Sequence, residues 1–133
     1  MDRKEVMEFF NKRPRIGALS TANSKGDVNV AVFGSPQMID ENTVVMATGN
    51  SRSFQYLKEN PKAAFIVMEP GEAGKDWKGM RVYLEIEDIQ TRGDLLNQIK
   101  GGVAKRAGKG AADRLQAAIR FKIIEVRPLV DPI

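Results

Sequence analysis

Between Met80 and Glu87 apolar and polar side chains alternate without a break: Met80, Val82, Leu84 and Ile86 fall on one side, Arg81, Tyr83, Glu85 and Glu87 on the other. A period of two is that of a pleated strand, so the segment is predicted as a strand with one buried and one wet face. Such a strand needs neighbours to pair its backbone and a layer to cover its apolar side, which commits much of the chain to a sheet.

The other runs supply that sheet. Val28, Val30 and Val32 alternate with Asn29, Ala31 and Phe33 and place three β-branched side chains on one face of a second strand. Arg15 to Ala22 reads as a strand of small residues that enters the turn Asn23-Ser24-Lys25-Gly26-Asp27 and forms a hairpin with the valine strand. After the breakers Gly34-Ser35-Pro36, a short strand is predicted over Gln37 to Ile39, and the polar turn Asp40-Glu41-Asn42 leads into Thr43 to Thr48. Ala63 to Met68 is continuously apolar and is predicted to be buried on both faces. The last strand, Ile119 to Val126, slips phase between Ile123 and Ile124, which predicts a bulge or two-sided burial.

Helices are fewer. Asp2 followed by Glu5 has the form of a capping pair, and Val6, Phe9 and Phe10 continue it with helical spacing to about Lys12, before Pro14. Arg52 to Glu59, with Phe54 and Leu57 three apart, is predicted as a two-turn helix capped by Asn50 or Ser51 and stopped at Asn60-Pro61. Leu95, Leu96, Ile99 and Val103 mark an amphipathic helix from near Asp94, followed by a Gly- and Lys-rich stretch from Gly101 to Gly110 and a further turn through Ala111 to Ala118. Pro70 to Gly79 is a long glycine-bearing loop that holds the sole tryptophan, Trp77, a place where function often sits. Strands outnumber helices and follow one another by short turns, so the expected class is mainly β: an antiparallel barrel with short flanking helices, not a doubly wound parallel sheet. At 133 residues the whole chain, 1–133, is expected to form a single domain.

Composition narrows the chemistry more than the fold. The chain has no cysteine and no histidine, which removes disulfides, thiolate nucleophiles, cysteine metal sites, the commonest metal ligand and the commonest general base. No metal site is expected: Glu85, Glu87 and Asp88 have no histidine partners, and Glu85 and Glu87 share a solvated strand face. Carboxylates, Lys, Tyr or a bound cofactor are left to do any chemistry. The net charge of +4 favours anionic partners without singling out nucleic acid. No apolar run approaches the roughly 18 residues that span a bilayer, so a cytoplasmic protein without a membrane partner is expected.

The most informative segment runs from Val44 to Pro61. A strand delivers the Gly, hydroxyl and amide cluster Thr48-Gly49-Asn50-Ser51 to a helix N-terminus, where unpaired backbone amides and the positive end of the helix dipole favour an anion. Arg52 can add a bidentate contact, which makes a phosphate cradle; an ordinary capped helix with a solvated arginine has the same sequence. Lys100, Lys105, Arg106, Lys109 and Arg114 could form a basic patch for nucleic acid, but no aromatics are interleaved for base stacking. A P-loop fails because Val103 and Gly110 stand where that motif needs Gly and Ser or Thr.

Taken in order, the short N-terminal helix, the Gly-turn hairpin, V-N-V-A-V-F and T-V-V-M-A-T-G-N-S-R-S-F-Q-Y-L-K-E-N-P-K-A-A-F-I-V resemble the flavin-nucleotide-binding split barrels related to pyridoxamine-phosphate oxidase, over roughly Glu5 to Ile89. The resemblance implies an antiparallel split barrel that binds FMN as a homodimer, with the flavin at the interface and a small-molecule or protein redox partner. Carried onto this chain, it implies that Asn29, Val30, Ala31, Val32 and Phe33 line the isoalloxazine ring, with Asn29 a donor to its polar edge. Met46, Ala47 and Thr48 would lie beneath the ring. Ser51, Arg52 and Ser53 would hold the phosphate beside Gly49 and Asn50, while Trp77 and Met80, with Lys78, Gly79 and Arg81, would reach the site of the second subunit. Trp77 could equally fill the dimer seam, and Asn29 could be an exposed strand residue.

The resemblance names no catalytic residue. It also has limits: the chain ends in Phe121 to Leu129 without the Trp-Arg-Leu-type signature and histidine-bearing substrate motif of the vitamin-forming oxidase, which speaks against that activity. Haem-binding relatives rely on histidine ligation that this chain lacks. A deazaflavin-dependent reductase of the same fold and a non-enzymatic nucleic-acid-binding module are the alternatives to an FMN oxidoreductase or electron carrier.

Overall fold

A computed structural model of the chain describes residues 2–73 and 75–132. Gly74, in the expected loop from Pro70 to Gly79, lies outside the described residues. Helix α1 (Arg3–Asn11) starts where Asp2 Oδ1 accepts the Glu5 amide at 2.9 Å, the first half of the predicted capping pair. Seven strands follow, β1 (Ile16–Ala22), β2 (Val28–Val32), β3 (Gln37–Asp40), β4 (Thr43–Thr48), β5 (Lys62–Glu69), β6 (Lys78–Gln90) and β7 (Ala117–Pro128). Helix α2 (Arg52–Glu59) separates β4 from β5, and α3 (Asp94–Ala107) and α4 (Lys109–Asp113) separate β6 from β7.

The strands form one sheet in the order β2-β1-β5-β6-β7-β4-β3, with every pairing antiparallel. This is the mainly β class that the alternation predicts. At the β1–β2 turn, Asn23 Oδ1 accepts the Lys25 and Asp27 amides at 3.0 and 2.9 Å, and Gly26 takes φ +85°, a conformation open to glycine without strain. Helix α1 packs on β3, α2 on β1 and β2, and α3 on β4 and β7. Among the described residues no helix is long and apolar enough to cross a membrane.

The inward face of the sheet and the apolar faces of α1 and α2 close over one core in which Phe10, Leu19, Phe65, Val67, Val82, Ile119 and Phe121 are fully buried. Burial of each such side chain contributes about 1.5–3 kcal/mol. Gly17 is required by this packing, since a Cβ there would sit 2.5 Å from Phe65 Cζ. The β6 alternation holds as expected: Met80, Val82 and Leu84 point inward.

The phase slip in the last strand is a β-bulge. Tyr83 pairs with Glu125 and Leu84 with Ile123, so Ile124 is the extra residue. Three expectations are corrected. β5 is not buried on both faces: Ala63, Phe65 and Val67 are buried, while Ala64, Ile66 and Met68 are only half-buried. The registers explain this, because Ala64 and Ile66 share the outward face with Val30 and Val32 of the edge strand. The Gly- and Lys-rich stretch is helical through Gly101 and Gly102 to Ala107. Two glycines cost a helix roughly 1 kcal/mol each relative to alanine, and the packing of Leu95, Leu96 and Ile99 against Ala47, Ala118 and Leu115 offsets it. Finally, β7 begins at Ala117, so the predicted turn to Ala118 stops short.

Candidate functional site

The end of β4 and the start of α2 form the first part of the site. Ser51 caps α2: its Oγ accepts the Phe54 amide at 3.1 Å, and its carbonyl accepts the Gln55 amide. The Arg52 and Ser53 amides are left without a partner among the described residues, and no acidic side chain occupies the first turn. Unpaired amides at the positive end of a helix dipole favour an anion. Hydroxyl and amide groups gather there. Thr48 Oγ1 lies 3.0 Å from Ser51 Oγ, and Asn29 Nδ2 donates to Ser53 Oγ at 3.2 Å. The Arg52 side chain is exposed and makes no hydrogen bond or ion pair among the described residues.

The second part is a cavity of about 280 Å³ beside the same strand end. Val32 and Phe33 at the end of β2, Ala47, Thr48 and Gly49 at the end of β4, and Val103, Ala107, Ala111 and Leu115 from the α3–α4 region make its walls. Its lining is largely apolar, and its one ionisable member among the described residues is Arg106. Thr48 and Gly49 belong to both parts. Gly49 is held there by packing: a Cβ would sit 2.7 Å from the Arg114 carbonyl oxygen. Ser35, in the β2–β3 connection, accepts the Ala47 amide at 3.1 Å and donates to the Ala47 carbonyl at 2.9 Å, and so does the work of a paired strand at the rim.

The β2–β3 connection is clasped from outside by arginines. Arg13 Nη2 donates to the Gly34 carbonyl at 2.9 Å, and Arg15 donates to the Gly34, Pro36 and Phe10 carbonyls. The Arg15 guanidinium lies over the Phe10 and Phe65 rings, 5.0 and 5.5 Å from their centroids. Burial first, then the charges of Arg13 and Arg106, depress the Arg15 pKa to about 10. Arg13 is lowered by burial and by Arg106.

Of the residues singled out from sequence, the structure brings Val32, Phe33, Ala47, Thr48 and Gly49 to the cavity, and Asn29, Ser51, Arg52 and Ser53 to the helix mouth beside it. Ala31 is half-buried next to Asn29. Val30 projects outward, Met46 is packed in the core, and Asn50 is exposed and bonded to Gln55. Trp77 and Met80 line a different cavity, of about 470 Å³, with Phe9 and Leu129, which shares no residue with the first. The wall from α3 and α4 was not anticipated. Its signal is the spacing of Val103, Ala107 and Ala111 at intervals of four, hidden among Lys105, Arg106 and Lys109.

No curated protein matches the chain. Solved structures do. An FMN-binding protein from Syntrophomonas wolfei subsp. wolfei is 26% identical, with a TM-score of 0.82 over 98% of this chain and 90% of that one. An F420 reductase is 19% identical, with a TM-score of 0.68 over 92% of this chain and 94% of that one. HutZ, the heme storage protein of Vibrio cholerae, is 19% identical, with a TM-score of 0.63 over 98% and 93%. The two more distant likenesses speak for the split-barrel fold alone, which the strand order and the flanking helices share. The family model described as pyridoxamine 5'-phosphate oxidase matches residues 3–129, a span that takes in both parts of the site and all seven strands. The chain therefore belongs to the pyridoxamine 5'-phosphate oxidase family.

Proposed function

We propose that the chain is an FMN-binding flavoprotein that works as a homodimer in hydride or electron transfer. The observation that carries this reading is the junction at Thr48 and Gly49, where an apolar, ring-sized cavity meets a hydroxyl-lined helix mouth with an exposed arginine. A flat ring attached by a short polar chain to a phosphate fits that sequence of surfaces. Arg52, the Arg52 and Ser53 amides and the Thr48–Ser51 hydroxyls would hold the phosphate; Val32, Phe33, Ala47 and Val103 would wall the ring. When bound, FMN supplies the redox chemistry that side chains without cysteine or histidine cannot. The chain's own part is to bind, orient and exclude water.

The homodimer rests on the edge strand. Val28, Val30 and Val32 are 76, 69 and 79% exposed in a row on one face, an arrangement that marks an association surface. Val32 also lines the cavity, so the cavity opens onto the surface a second copy would cover. Its volume of about 280 Å³ lies at the lower limit for a small-molecule pocket, as half of a shared site would. The Trp77 cavity is the surface we assign to the partner's ring.

The test is the identity of any chromophore that purifies with the protein, by visible spectrum and mass, followed by titration of the flavin-free protein with FMN. FMN, copurified or bound on addition, supports the reading. A bound deazaflavin would transfer the site to that coenzyme, and failure to bind either would reject it.

A further inference from the structure

Helix α3 runs along the sheet but leaves its edge uncovered. It packs on β4 and β7, while β3 is the last strand of the sheet, and Ile39 on it stays 44% exposed. The gap between α3 and β3 is a cavity of about 220 Å³. Val45, Leu95 and Ile99 give its apolar part, and Gln37, Gln98 and Arg106 its polar part. It shares Ser35 and Arg106 with the cavity beside the end of β4, but holds none of Val32, Phe33, Ala47 and Val103, the residues assigned to the flavin ring.

Gln98, Gly102 and Arg106 stand four apart and so lie along one face of α3. The two neighbouring glycines of this helix differ in surroundings. A Cβ on Gly101 would meet nothing within 4 Å, whereas one on Gly102, which lines the cavity, would stand 3.3 Å from Arg106 Nη1. Glycine is among the poorest helix formers, and the room it leaves between Gln98 and Arg106 accounts for its use at 102. Ser35 Oγ is committed to the Ala47 backbone, but the side chains of Gln37, Gln98 and Arg106 make no hydrogen bond or ion pair among the described residues. Two primary amides offer donor and acceptor together, as a further amide requires, and a guanidinium offers the fork of donors that a carboxylate fills. Among the described residues no carboxylate lines the cavity, so nothing there receives an ammonium.

We propose that this groove binds an N-acyl amino acid with a small aliphatic side chain, its amide between Gln37 and Gln98, its carboxylate on Arg106 and its alkyl part over Val45 and Ile99. The site goes beyond the flavoprotein reading, and its occupancy needs no flavin. The C-terminus of a peptide presents the same amide and carboxylate and is the other source of that chemistry.

The test titrates the full chain, flavin-free and FMN-loaded, with N-acetylalanine, N-acetylalanine methylamide and alanine by calorimetry. N-acetylalanine should bind at least about tenfold tighter than the methylamide, which lacks the carboxylate, and tighter than alanine, which brings an ammonium. Arg106→Gln should erase the preference over the methylamide, and Arg106→Lys should keep part of it. Gln98→Leu should weaken both acetylated probes alike. Gly102→Leu, which favours the helix and whose retained fold is read by circular dichroism, should fill the groove and abolish binding. A gain of about tenfold for an acetylated pentapeptide ending in alanine would assign the site to chain ends, and no gain would assign it to the free N-acyl amino acid; either upholds the recognition of amide and carboxylate. No binding of N-acetylalanine, equal binding of the methylamide, a preference that survives Arg106→Gln, or binding that survives Gly102→Leu would overturn it. So would displacement of N-acetylalanine by FMN, which would make the groove part of the flavin site.

Discussion

Asn29 Nδ2 donates to Ser53 Oγ at 3.2 Å, and this single bond ties the edge strand β2 to the first turn of α2. Ser53 is only 1% exposed, so its hydroxyl has little water to turn to. Asn29→Ala should cost about 1–3 kcal/mol, the range for stranding a buried polar group, read as a shift in denaturant midpoint. Ser53→Ala in the Asn29→Ala background should cost much less than it does alone. Additive losses would mean that the pair is not coupled.

Ser51 is the second support of that turn. Because its Oγ takes the Phe54 amide, Ser51→Ala should lower stability by about 1 kcal/mol, whereas Ser51→Asp should retain it and complement the helix dipole. Thermal unfolding of the two variants distinguishes capping from simple loss of packing.

The row of exposed valines bears on assembly. Val30 is 69% exposed, so Val30→Glu leaves the core of the single chain untouched. Sedimentation equilibrium should show the wild type as a dimer and the variant as a monomer with weakened FMN binding. A wild type that sediments as a monomer would remove the shared site.

The tail carries a pH dependence. The Asp131 carboxyl is held below its usual range by the hydrogen bond from Arg127 and then that from Arg81. A group depressed in the folded state contributes stability that is present above its ordinary value, about 3.9, and is lost as pH falls through the lower folded value. The advantage of the wild type over Asp131→Asn in thermal midpoint should therefore shrink as pH falls below about 4, and an advantage unchanged down to about pH 2 would mean that the Arg127 and Arg81 bonds contribute nothing.

Much of this was legible beforehand, and the exceptions have physical causes. The β6 alternation, the α2 cap at Ser51 and the Ile124 bulge follow from short-range rules that act on neighbouring residues, so the sequence displays them directly. The helix through Gly101 and Gly102 does not, because it is stabilised by distant partners on β4 and β7. The cavity wall is hidden for the same reason: Val103 marks the helix in the sequence, but Arg106 reads as part of a solvated basic stretch, and only the helix continued to Ala107 brings both to the cavity that Val32 and Ala47 also line. The clasp of Arg13 and Arg15 on the Gly34 carbonyl joins residues 21 and 19 positions apart, which no local pattern encodes. Met46 lies on the same strand as Ala47 but on the opposite face, so it packs into the core while Ala47 reaches the cavity.

In the proposed flavoprotein the nucleotide's phosphate docks at the mouth of α2. The direct measurement is the affinity of the flavin-free protein for FMN against riboflavin, which differ only in that phosphate, in wild type and Arg52→Ala. FMN should bind at least about a hundredfold tighter than riboflavin, and Arg52→Ala should reduce that gap by about 1.5–3 kcal/mol while riboflavin binding stays unchanged. Equal affinity for the two flavins, or a gap indifferent to Arg52, would contradict the account.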